Sequence, residues 1–203
     1  MTVRRKPEND IVALGFFIVR ILCCYRFARY DVLMNIALRF VDLCLFKAGP
    51  ADMPNSQGLL KISLLIYLTL GIAINLLDSD LNTSLFVSLA EVLLMIIATG
   101  LLLKFRGCSA RYTQTLTALA GTGSCIAIVG FPIIWWFYQI EAEKQATSFA
   151  MLLMVGLMFW SLMVMAHIFR QSLDIKAGAA AMLTFAYTIL TLLVTGLVMS
   201  GVA

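Results

Sequence analysis

Charge is scarce in this chain. Of 203 residues, 13% are Asp, Glu, Lys or Arg and 62% are hydrophobic. Soluble domains average about 25% charged and about 45–50% apolar. A water-soluble fold of this length could not hide so much apolar surface. Histidine occurs once, at His167, which argues against a zinc or haem site, because such sites recruit several converging ligands. The five cysteines (Cys23, Cys24, Cys44, Cys108 and Cys125) are odd in number and form no C-x-x-C, so free thiols are expected. No phosphate-binding glycine loop, nucleophile elbow, H-E-x-x-H or dinucleotide fingerprint occurs. The expectation is a protein with no catalytic residue, no cofactor and no metal, and not an enzyme.

Long apolar runs are abundant. Five reach the roughly 20 residues a helix needs to cross about 30 Å of hydrocarbon: Gly58–Leu77, Ser84–Leu103, Tyr112–Phe137, Ser148–Phe169 and Ala177–Gly201. They are continuous and show no period-2 alternation, which favours helices over barrel strands. Short links make successive helices antiparallel neighbours. The expected fold is an all-α membrane protein, a bundle of five transmembrane helices preceded by an interfacial amphipathic helix.

The cations are sorted by side. Fourteen of the 15 Lys and Arg residues lie before span one, at its start, or in the second and fourth links; Lys144 in the third link is the exception. The first and third links carry Asp78, Asp80, Glu141 and Glu143. Cytoplasmic loops are the basic ones. The expected location is therefore a bacterial inner membrane, with the N-terminus cytoplasmic and the C-terminus periplasmic. The +4 net charge marks topology and contact with the lipid bilayer, not nucleic-acid binding.

The segment before span one divides in two. Residues 1–33 contain an apolar run broken by Arg20, too short for a span, and read as a cytoplasmic or interfacial extension. The alternative is that translation begins at Met34 and these residues are an annotation artefact. From Met34, Asn35, Arg39 and Asp42 form one polar stripe on an otherwise apolar helix, the pattern of a helix lying in the headgroup boundary. Pro50 and Pro54 end it in an elbow, and Asn55 or Ser56 can cap span one. Residues 34–57 are thus amphipathic helix and elbow, and 58–203 the transmembrane domain.

Polar residues inside the spans are the functional candidates. Glu91 sits seven residues into span two, roughly 10 Å below the boundary at the helical rise. A carboxylate there costs on the order of a few kcal/mol unless paired, hydrated or protonated. By depth its expected neighbours are Gly130 and Pro132, whose missing N–H leaves a carbonyl that a protonated carboxyl could satisfy. His167 reads either as a proton relay or as an interface residue beside Arg170. Gln114, Thr117, Gly121 and Ser124 form a small and hydroxylated face suited to close helix packing, which places span three in the middle of the bundle. Gly71 with Asn75, and Gly196 with Ser200, are further pairs suited to helix contacts. Met151, Met154, Met158, Met163 and Met165 in span four read as packing residues, not copper ligands.

The stretch Arg111-Tyr112-Thr113-Gln114-Thr115-Leu116-Thr117-Ala118-Leu119, followed by Pro132, resembles the corresponding region of bacterial Yip-family membrane proteins. The order of amphipathic helix, elbow and five spans over residues 34–203 is similar too. The Asp-Leu-Tyr-Gly-Pro-like motif of eukaryotic members is absent, so partnership with small GTPases is not implied. The resemblance implies a non-enzymatic protein with a structural, accessory or membrane-organising role, acting through a homo-oligomer or a larger membrane complex. The alternative reading is a small transporter or proton-coupled channel using Glu91.

Overall fold

The computed structural model describes residues 35–142 and 148–202. The chain forms two units, Met1–Arg39 and Phe40–Ala203. Of the first, residues 35–39 are described and are helical, with Asn35 and Arg39 exposed. The reading of residues 1–33 lies outside the described residues.

The second unit is all-α, with no strand among its described residues. Five helices are long and apolar enough to cross a membrane. They are α1 (Gln57–Asn75), α2 (Leu81–Phe105), α3 (Tyr112–Ala142), α4 (Ser148–Leu173) and α5 (Ala177–Val202). Each matches one predicted span, with helical ends that run beyond the apolar core in α2, α3 and α4. The outward faces are large and apolar: Leu65 of α1, Phe159 of α4 and Leu197 of α5 are all more than 60% exposed. Such surfaces suit lipid as solvent, and this is a multi-pass membrane protein.

Local chemistry sets the ends. Ser56, one of the two expected caps, accepts from the Leu59 N–H at the start of α1. Asp174 ends α4 with a positive φ, as the Ile175 N–H returns to the Arg170 carbonyl. Pro132 lies inside α3, which continues past it to Ala142; in membrane helices the freed backbone group is re-satisfied locally.

The helices close into a ring. α1 packs on α2 and α3, α2 on α5, α5 on α4, and α4 on α3, with α2 and α3 also touching across it. The expectation for span three holds in burial: α3 is the most enclosed of the five. Much of that burial comes from an unexpected source, the chain that precedes α1.

Residues 40–44 are the last helical residues before the elbow. That helix ends with Phe46 at positive φ, where the Phe46 N–H bonds the Leu43 carbonyl and the Lys47 N–H the Asp42 carbonyl. A 3-10 turn, Pro50–Asp52, follows and packs on α3 and α4. The Asp52 carboxylate accepts from the Gly49 N–H at 2.8 Å. Phe40, Leu43, Cys44 and Met53 are all buried. The Phe40 ring lies against Gly121, ten residues past Arg111 and so about 15 Å along α3. This segment, a strap over α3 and α4, reaches deeper into the bundle than a helix lying flat among headgroups requires.

Candidate functional site

The strap carries backbone carbonyls into the bundle, that of Cys44 beside the middle of α4 and those of Ala48 and Met53 nearer the helix ends. Irregular backbone is tolerated there only when protein buries and satisfies it. Three side chains do so. The Trp160 indole N–H donates to the Cys44 carbonyl at 3.1 Å, His167 Nε2 lies 3.2 Å from the Ala48 carbonyl, and the Gln114 amide donates to the Met53 carbonyl at 2.9 Å. The Cys44 thiol points at the Thr122 carbonyl, 3.9 Å away, and interacts with the Cys125 side chain. Cys44, Cys108 and Cys125 are free thiols, as expected.

These contacts give several sequence candidates a place. Gln114 and Gly121 meet the strap, so this part of the small-residue face of α3 packs on the preceding chain and not on another span. Thr117 and Ser124 are buried and return their hydroxyls to the Thr113 and Ala120 carbonyls of their own helix. His167 is half-buried, with the edge of Phe46 against its ring at 5.3 Å and Gln171 at 3.0 Å; its contacts hold the elbow. Gly71 and Asn75 do form a helix contact: both meet Ser88 of α2, with the Asn75 amide 3.1 Å from its hydroxyl. Gly196 and Ser200 do not. A Cβ at Gly196 would meet nothing, and Ser200 is exposed. Met151, Met158 and Met163 are exposed on the outer surface of α4.

Glu91 belongs to a different place, a cavity of about 360 Å³ among the spans. Tyr67, Gly71 and Asn75 of α1 line one side, and Thr122, Gly123, Ala127 and Gly130 of α3 another. Leu157, Ser161 and Val164 of α4 close it, and Glu91 is the contribution of α2. Glu91 is the eleventh residue of a 25-residue helix, so it sits near mid-span. Gly130 shares the cavity, as depth suggested. Pro132 does not: it is exposed and absent from the lining. Thr195 of α5 is close enough to act on the carboxyl, a neighbour that depth along α3 alone could not reveal. Tyr67 and Tyr187 are both near enough to Glu91 to feel its charge.

Small side chains create this space. A Cβ on Gly123 would come within 2.7 Å of the Tyr67 ring, and one on Gly130 within 2.8 Å of Leu157. Glycine therefore lets the Tyr67 ring come close against α3. No group of three or more His, Cys, Asp or Glu that could hold a metal occurs among the described residues.

Fold and site together define a multi-pass α-helical membrane protein with a largely apolar cavity that holds one carboxyl inside a ring of spans. No family model, curated protein or solved structure matches the chain.

Proposed function

We propose that this protein is a small proton-linked carrier in which a solute enters the cavity in exchange for a proton on Glu91. The observation that carries the reading is a mid-span carboxyl opening on a cavity large enough for a solute. Ligand sites occupy about 300–1,000 Å³, and the cavity here is about 360 Å³. A buried carboxylate is costly at this depth unless a proton or a cation neutralises it. Either one relieves the cost, which makes the two competitors for one group. The charge sorting of the links supports a bacterial inner membrane with the N-terminus cytoplasmic.

The test needs no knowledge of the solute. Proteoliposomes adsorbed on a solid-supported membrane are subjected to pH jumps. Wild type is expected to give a transient current as Glu91 gains or loses its proton, and Glu91→Gln to give none at equal protein density. Absence of the current in wild type, or equal currents in both, overturns the carrier reading.

A second reading, an accessory or membrane-organising role of the kind the Yip-family resemblance implies, draws on α5. A Cβ at Gly196 would meet nothing among the described residues and Ser200 is exposed, and small residues let helices of separate chains approach closely. Cross-linking in native membranes tests it. A homo-oligomer or larger complex is expected, and a monomer found alone counts against it.

A further inference from the structure

Resting on the carrier reading above, we propose that the cavity takes a small organic cation, a protonated or quaternary amine with short apolar arms. The first argument is the sign of the lining. Glu91 is acidic, and among the described residues no Lys, Arg or His lines the cavity. An anion would meet a carboxyl with nothing to offset it, and a neutral solute would gain at most a hydrogen bond where a cation gains charge pairing as well.

The second argument is which hydrogen-bonding capacity remains. The Thr122 hydroxyl donates to the Ala118 carbonyl at 2.7 Å, and the Ser161 hydroxyl to the Met158 carbonyl at 2.8 Å. Asn75 spends an amide N–H on Ser88. With these protons committed to the protein, the hydroxyls offer lone pairs to the cavity. These acceptors, beside the Glu91 carboxyl, suit a ligand that brings protons or positive charge.

The third argument is the ring of Tyr67, held against α3 by the absence of a side chain at Gly123 and close to Glu91. An aromatic face beside a carboxylate is suited to an ammonium group, through the attraction of the ring quadrupole for cations. The other walls are apolar: Ile126, Ala127 and Leu157. They suit alkyl arms and give little to a bare metal ion, which wants several oxygens at once.

The probe is tetraethylammonium, titrated calorimetrically into the purified full chain in detergent. Pentanoate and a neutral alcohol of similar size serve as controls. Wild type is expected to bind the cation and neither control. Glu91→Gln should weaken binding by at least about tenfold, and Tyr67→Leu several-fold, while Tyr67→Phe, which keeps the ring, stays within about twofold. Ala127→Phe, which fills the cavity, should abolish binding and covers the case in which Glu91→Gln does not fold. Binding of pentanoate or the alcohol as tightly as the cation, indifference of cation binding to these changes, or no cation binding by wild type overturns the proposal. The two readings fail separately. Transient currents on pH jumps without cation binding would leave the carrier and remove the ligand class. Cation binding without currents would do the reverse.

Discussion

The Trp160 indole N–H of α4 donates to the carbonyl of Cys44, 116 positions earlier in the chain. This one bond ties the strap to a span at a depth where no water can replace it. A buried acceptor deprived of its partner costs about 1–3 kcal/mol. Trp160→Phe keeps an aromatic ring and removes the donor. The variant is expected to lose about 1–3 kcal/mol of stability, read as a lower midpoint of thermal unfolding in detergent. Trp135→Phe, at an exposed indole of α3, serves as a control for general loss of aromatic polarity. An unchanged midpoint for Trp160→Phe would mean that the strap does not dock between α3 and α4.

Gly121 and Phe40 form the second anchor of the strap. A Cβ at Gly121 would collide with the Phe40 ring, so Gly121→Ala should destabilise by about 1–3 kcal/mol through overpacking. Shortening the ring with Phe40→Leu makes room. The double variant is therefore expected to be more stable than the two single losses added together, by about 0.5–3 kcal/mol of coupling. Strict additivity in the double-mutant cycle would show that the two side chains do not touch.

Thr99 of α2 is fully buried, and its hydroxyl has no hydrogen-bond partner among the described residues. Valine has nearly the same shape without the polar atom. Removing a buried hydroxyl that bonds to nothing should relieve about 1 kcal/mol or more. Thr99→Val is expected to raise the unfolding midpoint, the reverse of the usual effect of a core substitution. A lower midpoint would place a partner on that hydroxyl, within the protein or as bound water.

The five spans were legible because apolar length is a local property. Tyr112 and Ser148 open α3 and α4, and Ala177 opens α5, where the composition changes. The observed ends differ where helix outlasts hydrophobicity: α2 starts at Leu81, before the apolar run, and α4 ends at Leu173, beyond it. Polar residues at these ends keep their backbone hydrogen bonds while their side chains reach the interface. The strap was not legible. Its stripe of Asn35, Arg39 and Asp42 describes an amphipathic helix, but depth is decided by distant partners such as Trp160 and Gln114. The same holds for Glu91. Its place near mid-span follows from counting along one helix, whereas its nearness to Thr195 depends on α2 meeting α5. The small residues of α3 were visible as a packing face, yet nothing local says that Phe40 and Met53 fill part of it.

The sorting of cations yields the last prediction, because cysteine chemistry can read both sides of the membrane. Cys108 lies in the link between α2 and α3, among Lys104, Arg106 and Arg111, and is half-exposed. The link between α1 and α2 holds the exposed residue Asp78 and no cation. If basic links face the cytoplasm, a membrane-impermeant maleimide added to intact cells should miss Cys108 and modify Asp78→Cys. After lysis both should react. Cys44 is 3% exposed and faces α3, so it should stay protected from the reagent in each case until the protein is unfolded. Peptide mapping by mass spectrometry assigns each adduct. Modification of Cys108 in intact cells, with Asp78→Cys spared, would invert the chain in the membrane. Rapid modification of Cys44 in the folded protein would instead detach the strap from α3.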